Sequence, residues 1–232
     1  MYRPAFKLGP LLVLFLLLQG CATQPPQVAP PGAVEDARIN EIYNSRTWLP
    51  PDQMTIDIVE AGKQASIPIG QARTKIIGPG YDEALTSLAA KIWLIDNAQY
   101  TIDAMYYIFQ TDLVGYSVLG ALCNAVQRGV DVRLMVDSLG SFSAAHNELR
   151  ALETCAETAG YMRNSAGQLT TRQARVQVVI FNSISKMHFN RRSHDKILVV
   201  DGHFPDKASV MTGGRNISKD YYGINDDGSK DP

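Results

Sequence analysis

Two short stretches carry the residues that could do chemistry. The first is Arg192-Ser-His-Asp-Lys-Ile-Leu-Val-Val-Asp-Gly202, and the second is Met211-Thr-Gly-Gly-Arg-Asn216. Ile197 to Val200 is a continuous apolar run, half of it β-branched, which predicts a strand buried on both faces. Alternate residues of a strand share a face, so His194 and Lys196 should stand side by side where this strand begins. Gly213 and Gly214 allow a ligand close to the backbone, and Asn216 supplies an amide donor. An imidazole is a competent nucleophile near neutral pH. Beside a fixed cation, an amide and backbone N–H groups, it makes a cradle for a phosphate and a means of attacking its phosphorus.

Those groups need a scaffold, and the chain before them supplies one. Asp82 is a candidate N-cap, and Leu85, Leu88, Ala89, Ile92 and Ile95 recur at helical spacing, which predicts a helix over 82–96. Tyr100 to Phe109 is β-branched and aromatic and reads as a strand. Asp112 to Arg128 reads as a helix stopped by Gly129, Val130 to Val136 as a strand, and Asp137 to Ser141 as its exit loop. A helix over 147–159 and a strand over 176–181 follow, then a basic loop with Lys186, Arg191 and Arg192 that leads into the His194 strand. Strand and helix alternate, so the expected class is α/β: a mixed, largely parallel sheet flanked by helices. Ligands of such sheets sit at the carboxyl ends of the strands, which makes the exits after Phe109 and Asp137 candidate rims of the site. The His194 strand works from its entry, so it should run opposite to its neighbours.

His-x-Lys, four further residues, Asp, and then Gly-Gly-x-Asn resembles the HKD signature of the phospholipase D superfamily. The interval from Asp201 to Gly213 is longer than in the usual pattern, and we read the extra residues as an insertion in the turn Gly202 to Lys207. Ile102-Asp-Ala-Met-Tyr-Tyr-Ile-Phe109, Gln127-Arg-Gly-Val-Asp-Val-Arg-Leu134 and Asn190-Arg-Arg-Ser-His-Asp-Lys196 extend the likeness over residues 70 to 225, closest to the cardiolipin synthase C type of two-motif lipid enzyme. The resemblance implies phosphodiester chemistry without a metal or other cofactor. His194 would form a phosphohistidine, Lys196 would hold non-bridging oxygens, and Asn216, Gly213 and Gly214 would stabilise the charge growing there. Arg192 is a candidate phosphate contact. Asp201 enters the catalytic set because the family motif contains it; its place on the opposite strand face equally suits a structural hydrogen bond.

The family's general acid is a second His from a second, related half. This chain has one His-x-Lys, and His146, His188 and His203 lack the motif. The other half would come from the same full-length chain or from a homodimer partner. The polar end, Asp226 to Pro232, suggests that the domain over 71–232 is an N-terminal half truncated at its C-terminus.

Composition narrows the partners. With 45% hydrophobic and 19% charged residues the chain is ordinary for a globular protein, and a formal net charge of -1 gives no global signal for nucleic acid. Residues 1–20 read as a signal peptide: Arg3 and Lys7 precede an apolar run, Leu11 to Leu18, too short to span a bilayer. Leu18-Gln-Gly-Cys21 resembles a bacterial lipobox, with Cys21 lipidated and Ala22 directing the protein to the outer membrane. Pro25, Pro26, Pro30 and Pro31 then form a tether, and 33–70 an N-terminal arm of mixed character. Cys123 and Cys155 could be a disulfide or two buried thiols. The expected function is phosphatidyl transfer or hydrolysis on a phospholipid at a membrane. A single-motif periplasmic endonuclease working as a homodimer and a catalytically incomplete half-domain are the alternatives.

Overall fold

The computed structural model describes residues 28–46, 72–141, 145–182, 192–224 and 227. Cys21, residues 1–20, Lys186, His188, Arg191 and residues 228–232 lie outside them.

Among the described residues, seven strands form two sheets. The larger has the order β5-β2-β1-β6-β7, built from β1 (Thr101–Tyr106), β2 (Asp131–Asp137), β5 (Val176–Phe181), β6 (Lys196–Val200) and β7 (Ser209–Thr212). β1, β2 and β5 are parallel, whereas β6 is antiparallel to both β1 and β7. The sheet is thus mixed, and the His194 strand runs against its neighbours as expected. Its entry therefore meets the carboxyl ends of β1 and β2.

Among the described residues, three helices serve this sheet: α2 (Tyr81–Asn97), α3 (Leu113–Gln127) and α4 (Ala145–Ala151), the last continued by a 3-10 segment over Leu152–Thr158. The single helix expected over 147–159 is thus two elements. Asp112 caps α3, its Oδ1 accepting from the N–H groups of Val114 and Gly115 at 3.0 Å each, and Gly129 ends the segment in the left-handed region at φ 97°. α2 is capped by the extended backbone of Gly80 rather than by Asp82, which sits in the first turn where the helix dipole favours a carboxylate.

The core joins these helices to one face of the sheet: Ile102, Ala104, Val132, Leu134, Val136, Val178, Leu198 and Val200 pack with Val118, Leu122, Val126 and Ile95. β6 is consequently buried on one face rather than two. Leu198 and Val200 are inside, while Ile197 and Val199 are half-buried on the other face. Cys123 of α3 is disulfide-bonded to Cys155 of the 3-10 segment, with their Cα atoms 5.6 Å apart.

Two features had no counterpart in the sequence reading. A small antiparallel sheet pairs β3 (Tyr161–Arg163) with β4 (Leu169–Gln173), and α1 (Ala37–Ser45) precedes the rest. α1 ends at Arg46, which is 1% exposed and donates to Asp131 Oδ2 at 2.9 Å and to Asp103 Oδ2 at 2.5 Å. Arg175 reaches both carboxylate oxygens of Asp131, at 3.0 and 3.1 Å. The buried Asp131 carboxylate is thereby satisfied by two guanidinium groups, the arrangement a buried charge requires.

Candidate active site

His194 and Lys196 meet at the mouth of β6. Lys196 Nζ lies 3.3 Å from His194 Nδ1 and 3.4 Å from Nε2, and donates to the His194 carbonyl oxygen at 3.0 Å. Near-equal distances to both ring nitrogens place the ammonium across the imidazole rather than on either lone pair. One of the three ammonium protons is committed to the carbonyl, leaving donors for a phosphate oxygen. Lys196 itself is buried, and burial draws its ammonium below the usual lysine range, with Asp195 partly opposing. His194 is exposed and rests on the ring of Tyr107, 4.6 Å between centroids. The Tyr107 N–H donates to the Asp195 carbonyl at 3.0 Å, which pins the segment before β6 to the exit of β1.

Asn216 is 1% exposed and its Oδ1 accepts from the Ile108 N–H at 3.0 Å. That bond fixes the amide at the exit of β1 and makes Nδ2 its donor for a ligand. Gly213 and Gly214 lie in the wall of a cleft that reaches Lys196, and a Cβ at either would meet no atom within 4 Å. The backbone there is open to close approach.

Two residues of the expected set stand apart. Asp201 sits at the opposite end of β6, five strand residues and roughly 16 Å from Lys196. Its Oδ1 accepts from the N–H groups of Tyr100 at 2.7 Å and Thr101 at 2.9 Å, and Oδ2 from Gln99 at 3.0 Å. It also adopts φ 53°, a left-handed conformation that Asp tolerates. Asp201 thus caps the start of β1 and touches nothing at the His194 site. Arg192 turns toward Asp137, whose Oδ1 is 3.6 Å from its Nη1, and Asp137 Oδ2 accepts from the Ser193 N–H at 3.2 Å. Its charge is opposed within the fold at the exit of β2, while Nη1 and Nη2 are buried with no hydrogen-bond partner among the described residues. The inserted turn folds back instead of projecting: Phe204 stacks on Tyr100, ring centroids 4.0 Å apart, and Lys207 donates to Gln99 Oε1 at 2.6 Å.

The cleft beside Lys196 has a volume of about 420 Å³. Tyr106 and Lys196, register partners across β1 and β6, line it together with Ser87 and Lys91 of α2, β7 and the coil 73–77. Sequence reading missed Lys91, which is 4% exposed. Burial chiefly, with help from the Arg215 guanidinium, pulls its ammonium down to about 8. It donates to Ser87 Oγ at 3.0 Å and stands 5.5 Å from the centre of the Tyr222 ring. A larger cavity of about 540 Å³ lies at the far end of the sheet against Gln99, Tyr100 and Lys207; neither His194 nor Lys196 lines it. Among the described residues, no group of three His, Cys, Asp or Glu side chains could hold a metal ion.

The α/β domain carries its His-x-Lys pair at the end of the sheet where β1 and β2 exit, and residues 92–228 match the family described as "Cardiolipin synthase, PLD-like domain". The chain belongs to that family. It is 29% identical over 158 residues to cardiolipin synthase C of Escherichia coli (strain K12), covering 63% of this chain and 28% of that protein. With cardiolipin synthase 1 of Bacillus anthracis it shares 27% over 158 residues, 63% of this chain and 26% of that protein. The chain spans about a quarter of the length of these relatives. Among solved structures, Nuc of Salmonella typhimurium, described as a phospholipase D family member, superposes with a TM-score of 0.39 at 22% identity, covering 59% of this chain and 68% of that one.

Proposed function

We propose that this chain supplies the His-Lys half of a lipid-processing enzyme that cleaves a phosphodiester and transfers or hydrolyses the phosphatidyl group. The observation that carries the reading is the Lys196 ammonium lying 3.3 Å from Nδ1 and 3.4 Å from Nε2 of an exposed His194. A ring nitrogen of His194 attacks phosphorus: a P–N bond forms, the ester P–O bond breaks, and the leaving alkoxide takes a proton from an acid that a second half provides. Lys196 and Asn216 Nδ2 stabilise charge on the non-bridging oxygens. An acceptor hydroxyl then attacks phosphorus, the P–N bond breaks, and the acceptor's proton passes to the same second group. Water as acceptor gives hydrolysis, and an alcohol gives transfer.

Further features support a membrane setting. The Leu18-Gln-Gly-Cys21 segment is suited to lipidation at Cys21, which would hold the domain at the periplasmic face of an outer membrane. A disulfide such as Cys123–Cys155 belongs to an oxidising compartment. The second half is the remainder of a longer chain or a second copy. The test is trapping: incubated with a phospholipid carrying radioactive phosphorus and quenched in alkali, which preserves a P–N bond, the enzyme should retain label on His194. His194→Ala should lose the label and at least about a thousandfold in turnover. Turnover preserved in that variant removes His194 as the nucleophile.

A further inference from the structure

The cleft beside Lys196 is charged in an uneven way. Among the described residues that line it, five are cationic, Arg73, Lys75, Lys91, Lys196 and Arg215, and none is acidic. Lys91 is the decisive one. A lysine buried to 4% exposure is usually paired with a carboxylate, and among the described residues this one meets the Ser87 hydroxyl and the Tyr222 ring instead. Arg215 adds a second cation and is held in place by donating to the Gly78 carbonyl at 2.8 Å, the one hydrogen bond its guanidinium makes among the described residues. Burying like charges together without an anion is unfavourable, and an anionic ligand in the cleft reverses that balance. The volume of about 420 Å³ exceeds what a bare phosphate needs and suits a phosphate carrying its ester arms. The rim mixes apolar and basic side chains: Ile76 is 94% exposed and Val210 is 63% exposed, and the exposed Arg73 and Lys75 line the cleft beside them. Buried cations below a rim that presents both exposed apolar side chains and basic ones match the acyl-bearing, anionic character of a phospholipid better than a nucleic acid, which would call for a broad basic face.

We propose that this cleft is a second anion subsite: it seats the phosphate of the acceptor lipid, with Lys91 and Arg215 on its oxygens, while Lys196 holds the phosphorus that His194 attacks. The subsite rests on the phosphatidyl-transfer reading above. It explains how one domain could choose a phosphate-bearing alcohol over water: the acceptor's own phosphate anchors it, and the neighbouring hydroxyl is delivered to the phosphohistidine.

The experiment is acceptor choice in the complete enzyme, with a phospholipid donor in mixed micelles and either phosphatidylglycerol or glycerol as acceptor. In Lys91→Met, and separately in Arg215→Gln, the preference for phosphatidylglycerol over glycerol should fall at least tenfold, through KM more than kcat, as expected for loss of a charge-assisted hydrogen bond. Equal loss against both acceptors, which a merely repacked core would give, overturns the proposal. Arg215→Gln lies on the cleft wall and carries the same test if Lys91→Met does not fold. Soluble glycerophosphate should compete with phosphatidylglycerol, but more weakly; competition at equal affinity would mean that the lipid-facing rim contributes nothing and would overturn the lipid assignment. A single-stranded oligonucleotide that outcompetes the micelles would overturn it in favour of nucleic acid. Titration with inorganic phosphate separates the two readings. Lys91-dependent phosphate binding in an enzyme that turns over no phosphodiester would sink the transfer reading and leave an anion site. Turnover without Lys91-dependent binding would sink the subsite alone.

Discussion

Replacing Lys91 with Met should stabilise the protein at neutral pH and remove part of its pH dependence. The wild-type ammonium is held at about 8 in the folded state against an ordinary 10.5. Below pH 8 both folded and unfolded chains carry the proton, so the full burial penalty applies, about 3 kcal/mol at 1.36 kcal/mol for each pH unit. Between pH 8 and 10.5 the unfolded chain binds more protons than the folded one, so stability rises with pH across that window. Met keeps the length and the apolar stem without the charge. It forfeits the bond to Ser87 Oγ and the contact with the Tyr222 ring, together about 2 kcal/mol. The net gain at pH 7 is about 1 kcal/mol. Among the described residues, the charged and titratable groups that share the cleft with Lys91 or pack on it are Arg73, Lys75, Arg215, Lys196, Tyr106 and Tyr222; burial pushes both phenols far above their ordinary range, so they keep their protons throughout. Lys196 titrates in both proteins, and its contribution cancels in the difference. Urea denaturation of wild type and variant at pH 7 and pH 10, in phosphate-free buffer, measures it. Wild type should gain about 2 kcal/mol on the variant between the two pH values. Parallel pH profiles would show that Lys91 is not held near 8 in the cleft, and the reasoning would fail.

Other sites give equally direct outcomes. Asp201→Ala should cost about 3 kcal/mol by stripping the acceptor from three backbone N–H groups, seen in thermal melts, while the specific activity of the folded protein is retained; lost turnover at unchanged stability would return Asp201 to the chemistry. Cys123→Ser should cost about 3 kcal/mol, because the bridge closes a loop with a sequence separation of 32. The melting temperature should fall by the same margin when wild type is reduced, and a melt insensitive to reductant would contradict the bond. Asp131→Asn should cost about 3 to 5 kcal/mol in chemical denaturation, since Arg46 and Arg175 would keep their charge beside a neutral amide.

How much of this was legible follows from how local each signal is. His194 and Lys196 are two residues apart at a strand entry, and alternation alone predicted that they would meet. α3 and β2 announce themselves through their own cap, periodicity and stop. The buried face of α2 was legible only in part, for a physical reason. Periodicity singled out Leu85, Leu88, Ala89, Ile92 and Ile95; Ile95 is buried and Leu85, Leu88 and Ile92 pack partly buried against the core, but the deepest stripe runs through Ala84, Ser87, Lys91 and Ile95. A Ser and a Lys at i and i+4 between Ala84 and Ile95 carried the signal, and hydrophobicity counting is blind to it. The Arg46–Asp131 pair, 85 positions apart, exists only because the fold closes on it. β6 read as doubly buried because four apolar residues in a row look alike from either side; which side α2 and α3 cover is a tertiary fact.

The direction of β6 explains why a single end of the sheet is chemical. In a parallel sheet the exits of β1 and β2 face one way, and ordinary crossovers would bring β6 in from the opposite end. Reversing β6 brings its entry, with His194 and Lys196, to the exits that hold Tyr107, Ile108 and Asp137. The two ends of the strand then divide the work. Lys196 at one end is buried yet left with donors to spare, while Asp201 at the other has its carboxylate filled by backbone N–H groups. Asp201 anchors the strand against the start of β1, and ladder pairing from Val200 opposite Ile102 to Lys196 opposite Tyr106 carries that register up to the site. A slip of one residue would turn Lys196 to the other face and out of the cleft. The motif's Asp therefore belongs with its His and Lys for a mechanical reason: it fixes the register that aims them.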